Sequence, residues 1–405
     1  MLHKSKGHLF SFFENLYEKK TDHSLDTSPH DIIYRLNGVP FCYLKLKDQK
    51  SSYLAIGTEQ LFDHHNNIPN NIDYIFGSLD FEFNNKSYLF SPETLLKFEN
   101  SGEIKLLKGK FPLQQLKQHL SENKKTKEVI NTVFKETPDF KSWEKSLSKL
   151  KNSFNENIFK IVISRRISTI MEPKDWVSVL QKLRSGNIPS SYEYVLHNGS
   201  EIFYSVSPET FYKKNNKIIK IDSIAGTTNR GKSPKEDQIL FNDLLNDPKE
   251  LKEHMAVCDF IEKTAKNLGL ELLSKNGLQP LKLNHIQHIS SDYEFCSVHT
   301  LKDSILIDAF HPTPAVGGNS KVNSMNIIEN IEEKPRGFYA APSGFIDNIN
   351  KKSEFLVAIR SFHFKKNGEL EIFGGAGILK DSCPKKEWEE TQNKMKNFLN
   401  KLNYE

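Results

Sequence analysis

Over the first 140 residues the apolar positions come in short alternating runs between Asn-, Gly- and Lys-rich turns, the period-2 pattern of half-buried strands. RLNGVPFCYLKL and SSYLAIG each predict a strand, and IFGSLDFEFNNKSYLF predicts a hairpin around Asn84-Asn85. From residue 120 the chain becomes Lys-rich and reads as helical. There Trp143, Leu147, Leu150 and Phe154 recur at the three- and four-residue spacing of a helix laid on a core. A soft boundary near 140 separates a polar scaffold part, 1–140, from 141–405, where the chemistry-bearing residues gather. FKIVISRRISTI then predicts a β-branched strand. Lys160, Val162 and Ser164 share one of its faces, and Phe159, Ile161 and Ile163 share the other. By itself such a lysine reads as snorkelling from a sheet edge; if buried, it sheds its proton more readily and becomes a candidate base.

Further on, YEYVLHNGSEIFYSVSPETFYKKNNKIIKIDSIAGTTNRG predicts consecutive antiparallel strands broken by two turns. SPET sets Glu209 at a strand end. IAGTTNRG offers Gly226 and Gly231, where bare amides can approach an anion. Neither P-loop nor GxGxxG spacing occurs, so nucleotide binding is not predicted. A helix opens at Pro248 and stops at Gly269, with Leu251, Met255, Cys258, Ile261 and Ala265 as its buried stripe and Glu250 and Glu253 together on another face. In NHIQHIS, His285 and His288 read as strand-face or hydrogen-bonding residues rather than metal ligands. LIDAFHPTPAVGG predicts a strand followed by a rigid, turn-rich wall around Ala315-Val316. RGFYAAPSGFID and FLVAIRSFHF predict a strand pair carrying Arg336, Tyr339 and Arg360.

The stretch FGGAGILKDSCPKKEWEETQNK ends this series. Its glycines lead to a helix with Pro384 in the first turn, from which Glu387 and Glu390 leave by one face. Paired carboxylates repel unless a cation or a proton lies between them; the alternative is a solvated face with a Glu390–Lys394 ion pair. The same spacing at Glu250 and Glu253 favours the cation.

Composition narrows the classes. At 405 residues with 37% hydrophobic content and 28 Phe, the chain can bury one large or two medium cores. A net charge of +5 without a basic, aromatic-interleaved stripe excludes a nucleic-acid footprint. Four scattered cysteines, with no CxxC, point to a reducing cytoplasm and away from zinc. The basic start is soon interrupted by acids, no small-residue cleavage site follows, and no window reaches membrane-span length; neither a signal peptide nor a membrane segment is expected.

In order, KIVISRR, SPETF, SIAGTTNRG, EHMAV, QHIS, HPTPAVGG, RGFYAAPSGFID, VAIRS, GGAGI and EWEETQNK resemble the motifs of the chorismate-utilising enzymes, over roughly Lys160 to Lys394. The resemblance is strongest to the isochorismate synthase branch. Lys160 stands where the amine-forming anthranilate synthases look to have Gln, and CDFIEK (258–263) replaces their DLxRND run. Ala225 stands where aminodeoxychorismate synthases place a nucleophilic lysine, and Ala315 where salicylate synthases tend to have Thr. The resemblance implies an α/β (α+β) fold of two large, mainly antiparallel sheets packed face to face, with helices outside and the site between. It implies a cytoplasmic enzyme, monomeric by default, that takes chorismate and needs Mg²⁺. It implies Lys160 as base and Glu209 as acid. Glu253 and Glu390 would ligate the metal, with Glu250 and Glu387 acting through water. The substrate would meet Gly226, Thr227, His288, Ala315, Val316, Tyr339, Arg360 and Gly375. A salicylate synthase or an inactive chorismate-binding homologue are the alternatives.

Overall fold

The computed structural model describes residues 28–36, 38–47, 51–84, 87–109, 130–131, 133–172, 175–186, 188–283 and 286–404. Two large antiparallel sheets dominate it. Among the described residues the first has eleven strands. Its spatial order runs Ile104–Lys108, Thr94–Glu99, Ser51–Ile56, Phe41–Lys45, Tyr192–His197, Ile202–Ser207, Ser361–Phe364, Glu369–Ile378, Ile161–Glu172 and Ile130–Asn131, with Lys135–Thr137 also on Ile161–Glu172. The second has nine: Glu271–Lys282, Ile286–Cys296, Ile218–Asn229, Thr210–Asn215, Lys352–Val357, Pro342–Asp347, Tyr74–Ser78, Tyr88–Ser91 and Gln60–Phe62. Strands from before residue 140 therefore take part in both sheets.

Strand alternation assigns each face its core. Tyr192, Tyr194 and Leu196 meet Phe76, Phe90, Phe345 and Leu356 between the sheets. Ser78 ties the layers together, donating to Tyr194 Oη at 3.0 Å and lying 2.8 Å from Ser343 Oγ. On the outer side of the first sheet Val195, Tyr204 and Phe362 pack on Leu180 and Phe398. On the outer side of the second, Ile219, Ile221 and Tyr293 pack on Val257 and Ile261.

The expected strands at Phe41–Lys45 and Ser51–Ile56 form, and Tyr74–Ser78 pairs with Tyr88–Ser91 as the expected hairpin, with Asn85 outside the described residues. Most of the Lys-rich stretch after residue 120 also lies outside them. Trp143, Leu147 and Leu150 are the buried face of a helix, Phe140–Lys151.

Four expectations need correcting. The LIDAF run belongs to a helix, Asp303–Phe310, because a short apolar run fits either period and its neighbours decide. IAGTTNRG is not a turn: Ile218–Asn229 is one long strand, and Gly226, at φ +76°, makes a bulge in it. In the helix Pro248–Asn267 the buried stripe has His254, Ala256 and Val257 in place of Leu251, which is half-buried, and Met255, which is exposed. In RGFYAAPSGFID only Pro342–Asp347 is strand, with Arg336 and Tyr339 in the segment before it, and FLVAIRSFHF is split between Lys352–Val357 and Ser361–Phe364, strands of different sheets, with Arg360 in the gap.

Candidate active site

The chain crosses between the sheets several times, and two of these crossings lie side by side. It leaves the first sheet after Ser207 and enters the second at Thr210; it returns from Val357 to Ser361. The crossings bond to each other. Val357 N donates to Glu209 O at 3.1 Å, Val206 N to Arg360 O at 3.1 Å, and the hydroxyls of Ser205 and Ser207 donate to Ile359 O and Val357 O, both at 2.6 Å. Glu209 and Arg360 thus sit on the seam, which no local pattern could place. Arg360 has φ +52°, a conformation unfavourable for a residue with a Cβ and sustained here by those bonds.

A third element meets the seam. Val162 N donates to Gly317 O at 2.7 Å, and Asn319 Oδ1 accepts the amides of Phe159 and Lys160, each at 2.9 Å. Arg336 locks this junction, its guanidinium donating to Val316 O at 2.6 Å and Val162 O at 2.8 Å. The wall around Ala315-Val316 is therefore stitched to the start of the Lys160 strand. Lys160 does not snorkel: it is 1% exposed, its ammonium 3.4 Å from Glu253 Oε2. A Cβ on Gly377 would come within 2.6 Å of that oxygen and 3.1 Å of Lys160 Cε, so the glycine is what lets the pair form.

Together these elements line one cavity. Its lining includes Lys160, Glu209, Gly226, Thr227, Glu250, Glu253, His288, Ala315, Val316, Tyr339, Arg360, Gly375 and Glu390. Of the residues singled out from the sequence, Glu387 and Gly231 stand off the lining, and the Gly231 amide is already engaged, donating to Asp237 Oδ1 at 2.7 Å. Val162, Phe373 and Lys394 also line it and were not expected as site residues. Phe373, which stacks on Tyr339 with ring centroids 5.0 Å apart, has no sequence signal beyond being apolar. His285 is outside the described residues.

Charge is graded across the cavity. Burial, with the Asp222 carboxylate nearby, pushes Glu209 up to about 8 against the pull of Lys47, Lys160 and Lys394, so it holds a proton at neutral pH. Burial, with Arg360 and Lys394, drives His288 down to about 3, so this histidine is neutral. Its Nδ1 lies 3.2 Å from the Gly226 carbonyl, which can only accept, and 3.0 Å from Thr227 Oγ1; Nε2 is left as the acceptor. The Thr227 amide is engaged, donating to Glu250 at 2.9 Å. Burial, with Glu253, raises Glu250 to about 7. Burial also opposes ionisation of Glu390, but the Lys394 ammonium at 2.6 Å outweighs it and holds that carboxyl below its usual range. The expected Glu390–Lys394 pair therefore exists, inside the site.

The four helix carboxylates face one another across the helices Pro248–Asn267 and Pro384–Leu399, and a cation already stands among them. Lys249 Nζ lies 2.8 Å from Glu387, 3.7 Å from Glu250 and 3.8 Å from Glu253. Among the described residues no three His, Cys, Asp or Glu side chains converge closely enough to hold a metal as they stand. An all-oxygen donor set gathered on an ammonium nonetheless fits a hard divalent ion.

A cavity between two antiparallel sheets, with a buried lysine, a protonated glutamate and an arginine, has the groups to hold a small anion and to move protons. Residues 79–403 match the family described as Chorismate binding enzyme, and the chain belongs to that family. It is 30% identical over 269 residues to isochorismate synthase MenF of Bacillus subtilis (strain 168), spanning 65% of this chain and 56% of that protein. It is 32% identical over 292 residues to anthranilate synthase component 1 of Aquifex aeolicus (strain VF5), spanning 67% and 56%. The chain thus spans little more than half the length of these curated relatives. Its fold is that of the menaquinone-specific isochorismate synthase MenF from Escherichia coli, at a TM-score of 0.80 and 20% identity, covering 97% of this chain and 99% of that one. No helix among the described residues is long and apolar enough to cross a membrane.

Proposed function

We propose that this chain is a Mg²⁺-dependent isochorismate synthase, reversibly converting chorismate to isochorismate. The observation that carries the reading is the buried Lys160 in one cavity with a Glu209 that keeps its proton at neutral pH. Water adds at one ring carbon as Lys160, acting as the free amine, takes its proton and becomes the ammonium; the ring double bonds shift; the C–O bond at the other carbon breaks as Glu209 protonates the departing hydroxyl. Net, one water enters and one leaves, and the reverse reaction uses the same groups in opposite roles. Arg360, set on the seam, suits one substrate carboxylate, with the Tyr339 hydroxyl beside it. Neutral His288 offers an acceptor rather than a charge.

Glu253 and Glu390 would hold Mg²⁺ directly, with Glu250 and Glu387 through water. The ion would neutralise the ring carboxylate and anchor it. Lys160 in place of Gln and Ala225 in place of Lys support oxygen rather than nitrogen chemistry, although anthranilate synthases are among the relatives.

Incubating the purified chain with chorismate and Mg²⁺ and resolving the products by chromatography tests the reading. Isochorismate in equilibrium with chorismate is expected. Salicylate with pyruvate would move the chain to the salicylate synthase reading. No turnover, unaffected by Lys160→Ala, would make it a binding homologue.

A further inference from the structure

We infer that Lys249 is the resident counter-ion of the carboxylate cluster, and that a divalent cation enters by displacing its ammonium into the neighbouring cleft. The displacement half rests on the metal reading above; the counter-ion half does not.

Lys249 is placed where a lysine is otherwise unfavourable. It lies in the first turn of Pro248–Asn267, next to the Asp247 cap, at the positive end of the helix dipole. Its charge is sustained there by three carboxylates from two helices, the nearest being Glu387, whose side chain is only 2% exposed. Without the ammonium, Glu387 would be a buried carboxylate with Glu390 beside it and Glu250 and Glu253 opposite, an arrangement that costs several-fold in folding equilibrium or forces a proton onto one of them.

The lysine also has somewhere to go. It also lines a second cleft, together with Phe154, Phe159, Asp247, Lys252 and Asp381. Its side chain is 34% exposed, so rotation of the stem carries the ammonium from the carboxylates toward solvent and toward Asp247 and Asp381. Lys252, one turn along, shows the contrast: it sits 4.9 Å over the Phe159 ring and, among the described residues, forms no ion pair with a carboxylate. The cluster's negative charge is thereby partly offset before metal arrives, and loading exchanges a single positive charge for a double one.

The test uses the full chain stripped of metal with EDTA, Mg²⁺ alone as titrant, and two readouts, calorimetric affinity and thermal melting. Lys249→Met should bind Mg²⁺ more tightly, on the order of tenfold, because a competing charge at about 4 Å is gone. In EDTA it should melt lower than wild type, and Mg²⁺ should restore it. Lys249→Arg should keep the wild-type melting point in EDTA, and Lys252→Met should change neither readout. The double variant Lys249→Met/Glu387→Gln should regain the stability lost in Lys249→Met. Equal or weaker Mg²⁺ binding by Lys249→Met overturns the displacement. An unchanged melting point in EDTA, or no recovery in the double variant, overturns the counter-ion role. If wild type binds no Mg²⁺ at all, the metal reading fails and takes the displacement with it, while the EDTA melts still decide the counter-ion.

Discussion

Replacing Glu209 by Gln probes both the site's electrostatics and its chemistry. Glu209 is 3% exposed and titrates near 8, against 4.5 for an unperturbed glutamate. Between those values the folded chain keeps a proton that the unfolded chain has released. The unfolded state then binds fewer protons, so stability falls as pH rises through the window, by ~1.4 kcal/mol per unit at full effect. The accumulated cost is about 3 kcal/mol at pH 7 and levels off near 5 kcal/mol above pH 8. Glu209→Gln keeps the shape and cannot ionise. Denaturant unfolding of both proteins from pH 5 to 9 should therefore give curves that diverge, the variant gaining on wild type up to about pH 8 and running parallel beyond. Other titrating groups such as Glu250 and His288 are common to both and largely drop out of the difference. Curves parallel throughout would refute the argument that burial and Asp222 hold the proton on Glu209. The same proton should appear in catalysis: wild-type kcat/KM falls as pH rises through about 8, and the variant loses turnover by about 10²–10⁴-fold while still binding chorismate.

Lys160→Ala should likewise reduce kcat by about 10²–10⁴-fold with little change in chorismate affinity, measured by equilibrium binding against steady-state rates; a loss confined to KM would make Lys160 a binding residue. Glu390→Gln should raise the Mg²⁺ concentration for half-maximal activity about 10- to 100-fold, and unchanged metal dependence would remove it from the ligand set. Gly377→Ala places a Cβ against Glu253 and Lys160; about 1–3 kcal/mol of lost stability, by denaturant midpoint, should accompany a drop in kcat.

Much of this protein was legible in one dimension. Helices such as Phe140–Lys151 and Pro248–Asn267 carry their period and their caps in sequence, and the strands from Tyr192 to Asn215 carry theirs, because side-chain direction repeats with backbone geometry. The same alternation predicted that Lys160 and Val162 would share a face, and both line the cavity. The ordered motifs pointed to the family, and the i,i+3 acids to two helix faces that meet. What periodicity could not supply was anything set by distant partners. The helix Asp303–Phe310 reads as strand because eight residues are too few to separate the two periods. The bulge at Gly226 reads as a turn because only the facing strand, Ile286–Cys296, shows that pairing continues past it. Whether Lys160 reached solvent or a buried carboxylate depended on Gly377 and Glu253, both far away in the chain.

The sequence by itself determined which residue types could do acid, base and anion chemistry, and on which faces they stood, since those follow from local backbone geometry. Only the tertiary structure decided that Glu209 and Arg360 share a seam where two strands cross between sheets, that burial there keeps Glu209 protonated, and that Lys249 stands among the carboxylates. Burial and charge proximity are sums over neighbours brought together by folding, and the linear order of residues does not contain them.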